Sequence, residues 1–279
     1  MHVSDPAIPL GSIVVVIGAN GYMGVETCEK LLQAGFYVRG TVRDVVKNQQ
    51  WMDKLFDTKW PRMFQLVQVS TFEAEGAFDE AFKGAKGVIY VSTPIILNAD
   101  PAKVVKPVIN GTINSLEYSA RARVKRYVLS SSSKAVESTN YNHPHHITSS
   151  MFNYEAIGKA CCEPNADGLD RLVDVYRASQ ALAELAFWSW VGTNQPPFVT
   201  NCVVPDGQFG QVAHYTDVQN AARLLVAAVA LPSLVKERLF AYCHNSTWNE
   251  LRYKIRHMSP KGERLVKGEE GPLQYGWAH

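Results

Sequence analysis

The stretch "SIVVVIGANGYMG", residues 12–24, constrains the fold of this 279-residue chain more than any other. Its run of β-branched residues has no polar interruption, the pattern of a parallel strand buried on both faces. The run ends in three evenly spaced glycines, Gly18, Gly21 and Gly24, and residues 24–35 follow with helical spacing up to a terminating glycine. In such a strand–turn–helix the first glycine permits the tight turn and the second lets the backbone approach a pyrophosphate. The third lets helix and strand pack closely. The helix N-terminus adds amides and a positive dipole. The motif predicts dinucleotide binding by Gly18, Asn20, Gly21, Tyr22 and Met23.

The alternation continues along the chain. Residues 36–44 read as a strand, 45–60 as a helix closed before Pro61, 63–70 as a strand, 76–84 as a short helix and 87–94 as a strand. Residues 99–123 read as a long helix whose regular part Pro101 and Pro107 confine. "VKRYVLSSSS", 124–133, is a fifth strand ending in four serines. Residues 134–169 break the rhythm, a long loop with a short helix near "FNYEAIGKA". A helix over 170–191, a strand over 198–205 and an apolar helix within 216–232 follow. The remainder reads as one strand, one helix and a polar tail. This order predicts an α/β fold: a doubly wound parallel sheet of the Rossmann type, one domain over 1–279, with a small, reduced C-terminal substrate region. Substrate-side elements fall in 134–169 and 206–279.

Composition excludes several partners. The chain is 46% hydrophobic and 19% charged with a formal net charge of +2, and its basic residues are dispersed, so no nucleic-acid footprint appears. The apolar run 13–19 is far too short to span a membrane. The N-terminus lacks secretory features, and Cys28, Cys161, Cys162, Cys202 and Cys243 lack metal spacing. They read as reduced thiols of a cytoplasmic protein. His143, His145 and His146 read as solvated loop residues and not as a metal site, and no metal is expected. His214 is a candidate acid or base. Trp188 and Trp190 read as core or interface aromatics.

The end of the second strand selects the cofactor. An acid there would grip the ribose 2′-hydroxyl, whereas an arginine favours a 2′-phosphate. The sequence offers Arg43 at the strand end, Arg39 nearer its middle, and Asp44 where it can cap the next helix. NADP(H) is the expected cofactor.

Together, "VVVIGANGYMG", "VRGTVRD", "GAFDEAFKGAKGVIYVSTP", "VKRYVLSSSS", "VYRASQALAE" and "RLLVAAVALPSLVKERLFAY" resemble the extended short-chain dehydrogenase/reductase superfamily. The resemblance is strongest to the dihydroflavonol reductase-like branch, including fungal aldehyde and ketone reductases. It implies a catalytic serine at Ser132, a tyrosine at Tyr176, and a lysine one helical turn beyond. That last position holds Gln180. By the same resemblance Ser70 and Thr71 replace an aspartate of the adenine pocket, while Val91, Ser92, Thr93 and Pro205 border the nicotinamide. Tyr154 and Lys159 are no substitute pair, because five residues at about 100° each turn them about 140° apart.

A neighbouring ammonium lowers the phenol pKa of about 10 in such sites. Gln180 carries no charge but can hydrogen-bond the nicotinamide ribose, so Tyr176 is expected to stay protonated. Lys134 is a nearby cation, although nothing in the sequence puts it beside Tyr176. The covering segment that relatives insert after "PDGQFG" is largely missing, which implies a wide pocket for a bulky small molecule, or a partner chain as cover in a homo-oligomer. Three functions stay open. One is an NADP(H)-dependent oxidoreductase acting on a carbonyl or imine in specialised metabolism. The second is a non-redox isomerase, dehydratase or cyclase using Ser132 and Tyr176 as donors. The third is a catalytically silent NADP(H)-binding protein.

Overall fold

The computed structural model describes residues 3–92, 96, 98–138, 146–162, 168–206, 213–242, 244–246 and 253, with the backbone only of 213–215 and 244–246. Strand β1 (Ile13–Ile17) lies between β2 (Tyr37–Val42) and β4 (Gly87–Tyr90) and pairs with both in parallel. β3 (Phe64–Gln68) extends the sheet beyond β2. On the other side β5 (Arg126–Ser130), β6 (Val199–Pro205) and β8 (Arg238–Ala241) follow β4, again all parallel. The order is β3-β2-β1-β4-β5-β6-β8. It reverses at β1, so the crossovers from β1 and β4 diverge and leave a crevice at the strands' carboxyl ends.

Side-chain alternation along β1 builds a core on each face. Val14 and Val16 point into one cluster with Cys28 and Leu31 of α1 (Tyr22–Gln33) and Leu225 and Val229 of α7 (Val218–Ala230). Val15 and Ile17 point into the other, with Tyr90, Leu116, Tyr127 and Phe187. There α4 (Pro101–Arg121) and α6 (Gly168–Asn194) pack together, and α5 (Tyr154–Cys162) packs on α6. The doubly wound expectation is borne out.

Two local expectations need correction. Pro107 does not limit α4, which runs unbroken from Pro101 to Arg121. Pro101 occupies the first turn, where a missing N–H costs nothing. An interior proline costs about 3 kcal/mol, here offset by the buried stripe Val104, Val108, Thr112, Ser115 and Leu116. α6 extends past residue 191 to Asn194. One element before α7 has no counterpart in the sequence reading: β7 (Ala213–Tyr215) forms an antiparallel ribbon with β9 (His244–Ser246). Its partner lies some thirty residues downstream, a pairing that local patterning does not reveal. The expected C-terminal helix and tail lie outside the described residues, apart from Tyr253.

Close approach of α1 to β1 rests on glycine. A Cβ on Gly24 would lie 2.1 Å from the Gly18 carbonyl oxygen and 3.0 Å from Ala19 backbone carbon. Gly24→Ala should therefore destabilise by about 1–3 kcal/mol, the cost of overpacking, and lower the thermal midpoint by several degrees. Gly158→Ala in α5 meets nothing within 4 Å and should stabilise by about 0.5–1 kcal/mol. Thermal unfolding followed by circular dichroism compares the two. Equal midpoints would remove the packing role given to Gly24.

Candidate active site

The crevice begins at the glycine turn. Gly18 has φ of 90°, and a Cβ there would come 2.5 Å from Ser92 Cβ. Its amide donates to Thr41 Oγ1 at 3.3 Å, and Ala19 N–H donates to the Thr41 carbonyl at 3.0 Å. Asn20 donates to Asn48 at 3.1 Å. The carboxyl ends of β1, β2 and β4 are thus drawn together. Gly21, the α1 N-cap, is exposed and extended, with no side chain capping the helix and no acid in its first turn. Its Cβ would meet only the Gly18 oxygen, at 3.4 Å. An open backbone edge leading into uncapped helix amides fits the pyrophosphate of a dinucleotide. Tyr22 is exposed beside it, while Met23 accepts a hydrogen bond on sulfur from Ser130 at 3.6 Å.

The second strand's end separates two arginines and an aspartate. Arg39 is committed elsewhere, to Gln65 at 3.3 Å and to the carbonyls of Ala81 and Lys83 at 3.0 and 2.8 Å. Asp44 caps α2 (Val45–Phe56) by accepting the Lys47 amide at 3.0 Å. Arg43 is exposed at the lip of the crevice. Ser70 donates to its carbonyl at 3.4 Å, and Thr71 follows, exposed. Val91 and Ser92 leave β4, the Val91 amide bonding Ile17 at 3.1 Å. Pro205 is buried as the last residue of β6. Thr93 lies outside the described residues.

Each of the four serines after the core of β5 has its own environment. Ser130 turns to Met23, and Ser131 donates to Glu184 at 2.6 Å. Ser133 is buried in the short 3-10 turn 133–135. Ser132 is extended, accepts the Lys134 amide at 3.2 Å, and brings its hydroxyl close enough to the Tyr176 phenol to favour the ionised form. With its oxygen accepting from Lys134, the Ser132 hydroxyl has its proton free to donate to the Tyr176 oxygen. The two expected catalytic side chains therefore meet.

Burial raises the Tyr176 phenol above its ordinary value, and the Ser132 hydroxyl partly opposes this. Among the described residues these are its two influences. The Lys134 ammonium, depressed by burial, instead senses Asp206, then Arg177 and Glu137. Gln180 is 4% exposed, one turn beyond Tyr176, and its amide donates to Ser179 at 3.4 Å. Tyr154 is exposed and Lys159 pairs with Glu155 at 2.7 Å, which ends their candidacy as a dyad.

Two residues that pattern reading missed stand beneath the pair. Glu184 is fully buried and binds Arg238 at 2.5 Å, and Trp188 donates to it at 3.2 Å. Glu184 was detectable as the next four-residue step after Tyr176 and Gln180; Arg238 gave no signal in sequence. Trp188 and Trp190 pack against the second core, as expected. His146 is exposed. His143, His145, residues 207–212, Cys243 and the His214 side chain lie outside the description. Among the described residues no group of metal ligands occurs, and Cys28, Cys161, Cys162 and Cys202 are free thiols. No helix among them is long and apolar enough to cross a membrane.

A parallel sheet reversing at a glycine turn, with a serine and a tyrosine meeting above it, defines a dinucleotide-dependent reductase-like protein. The chain belongs to the 3-beta hydroxysteroid dehydrogenase/isomerase family, whose model matches residues 15–251. It is 29% identical to aldehyde reductase 2 of Sporidiobolus salmonicolor, the match covering 92% of this chain and 84% of that protein. It is 31% identical to ketoreductase adrE of Penicillium roqueforti over the same shares. Its fold matches Gre2 from Candida albicans, solved as an NADPH complex, with a TM-score of 0.75 and 21% identity over 90% of this chain and 83% of the other. The resemblance to fungal aldehyde and ketone reductases is borne out.

Because burial raises the Tyr176 pKa, its neutral form persists through the physiological range and gives way only on the alkaline side. Ultraviolet difference titration of wild type against Tyr176→Phe should assign its phenolate to pH above about 10, the ordinary phenol value. An ionisation below pH 9 that vanishes in the variant would contradict this.

Proposed function

We propose that the protein is an NADP(H)-dependent reductase of a small-molecule carbonyl or imine of specialised metabolism. The observation that carries the reading is the approach of the Ser132 hydroxyl, just past the carboxyl end of β5, to the Tyr176 phenol beside the glycine crevice. The named activities of aldehyde reductase 2 and ketoreductase adrE support it.

Gly18, Asn20, Gly21, Tyr22 and Met23 would hold the pyrophosphate, and Arg43 the 2′-phosphate. Ser70 and Thr71 would border the adenine, and Val91, Ser92, Thr93 and Pro205 the nicotinamide. The bound nucleotide supplies or accepts a hydride. Ser132 and Tyr176 then act as paired donors to the substrate oxygen, where negative charge develops as the carbonyl is reduced. Tyr176 is neutral, so it holds the proton that the oxygen needs. Gln180 adds no charge; its place one turn below Tyr176 suits a hydrogen bond to the ribose. Losing one such oxyanion donor costs about 10²–10³ in kcat. Tyr176→Phe should lower NADPH consumption on an aldehyde and ketone panel by that order with cofactor affinity retained, and unchanged turnover would remove Tyr176 from the site.

Gln180 favours a second reading, a non-redox isomerase, dehydratase or cyclase that keeps the same neutral donor pair. Gln180→Lys separates the two. On the reductase reading the new ammonium lowers the phenol pKa and raises NADPH-dependent turnover; on the other it disturbs a neutral clamp. Deuterated NADPH reports directly, since label in the product means reduction.

Arg43 sets the cofactor expectation. Calorimetric titration should show NADP(H) bound more tightly than NAD(H), with the preference lost in Arg43→Ala. Equal affinities in wild type would end the assignment.

A further inference from the structure

Tyr176, Gln180 and Glu184 follow one another at four-residue steps along α6, so they form one stripe facing the sheet. The lowest of them, Glu184, has no solvent exposure. It accepts the Ser131 hydroxyl at 2.6 Å, Arg238 Nε at 2.5 Å and Nη2 at 3.1 Å, and the Trp188 indole at 3.2 Å. The Cys202 thiol of β6 also faces it. One carboxylate thus joins the carboxyl end of β5, the middle of β6 and the start of β8 to the helix that carries Tyr176. Arg238 in turn holds the carbonyls of Ser149 and Met151 at 2.9 and 2.6 Å and stacks over Phe152 at 4.1 Å.

A buried ion pair is an uneconomical way to join a helix to a sheet, because well-packed apolar side chains of similar volume do so at least as firmly. What a carboxylate adds is direction. Ser131 is fixed twice: its amide to Val203 at 2.8 Å and its hydroxyl to Glu184. Ser132 is the next residue, and the direction of its hydroxyl follows from how that turn is pinned.

We propose that Glu184, through Ser131, is a positioning residue that aims the Ser132 hydroxyl at Tyr176. Arg238 neutralises Glu184 and ties the 149–152 segment to the same anchor. The proposal rests on Ser132 and Tyr176 forming the site, but its test needs no substrate.

Full-length protein labelled with ¹³Cζ-tyrosine reports the phenol's hydrogen bonding at neutral pH, with Tyr176→Phe assigning the signal. Ser132→Ala marks the position of a Tyr176 without its serine partner. Ser131→Ala leaves Glu184 with Arg238 and Trp188, so the fold is kept, and it should move the signal at least half as far in the same direction. Ser131→Thr, which keeps the hydroxyl, should leave the signal in place. Glu184→Gln is the harsher variant and should move it further, if the variant folds. A wild-type signal in Ser131→Ala alongside a displaced one in Ser132→Ala would overturn the proposal. A signal unmoved by Ser132→Ala would overturn it too, there being no bond to aim. Failure of the reductase reading shows separately, as unchanged turnover in Tyr176→Phe.

Discussion

The structure depends on how closely α1 leaves the end of β1. With 2.1 Å between a would-be Gly24 Cβ and the Gly18 oxygen, only hydrogen fits there. That contact sets the angle of α1, hence the direction of its uncapped N-terminal amides and its packing on α7. Gly18 makes the matching approach to Ser92 across the reversal point. The crevice between β1 and β4 is a consequence of backbones packed too tightly for side chains, and the same packing leaves the amide edge open to a ligand.

Charge is distributed unevenly around this crevice. Arg43 stands exposed at one lip, while near the proposed chemical end Arg238 is paired with Glu184, and Lys134 feels the opposite charges of Asp206 and Glu137 against the like charge of Arg177. Tyr176 is under the influence of burial and of Ser132. A lysine at position 180 would make the phenol acidic; glutamine leaves hydrogen bonding without ionisation.

Repeating short-range features were legible in the sequence. The β-branched strands, the glycine turn, the Asp44 cap and the strand–helix alternation each follow from spacing within about ten residues, and all appear in the structure. Features that depend on distant partners were not. β7 exists only through β9, Pro107 is tolerated only because α4 is buried, and the commitment of Arg39 to the carbonyls of Ala81 and Lys83 depends on a segment some forty residues away. The four serines were indistinguishable as a string. Their roles separate because Met23, Glu184 and Tyr176 approach from three elements remote in sequence. The juxtaposition of Ser132 with Tyr176 came from family resemblance, since no periodicity links β5 to α6.

A phenol whose pKa is raised is asymmetric in what it can do. It donates a proton or a hydrogen bond readily, and it accepts a proton poorly because its basic form is scarce at neutral pH. On the proposed reading, carbonyl reduction needs the donor, whereas alcohol oxidation needs a base in the same place. With the neutral Gln180 one turn away, the oxidative direction is on that reading weakened more than the reductive one. The catalysed equilibrium stays the same, so the asymmetry lies in pH dependence: reduction holds across neutral pH, and oxidation gains only as alkali ionises Tyr176. An isomerase or dehydratase that merely polarises a carbonyl would share the flat neutral profile. The neutral phenol is thus compatible with both chemistries, and transfer of label from the nucleotide is what tells them apart.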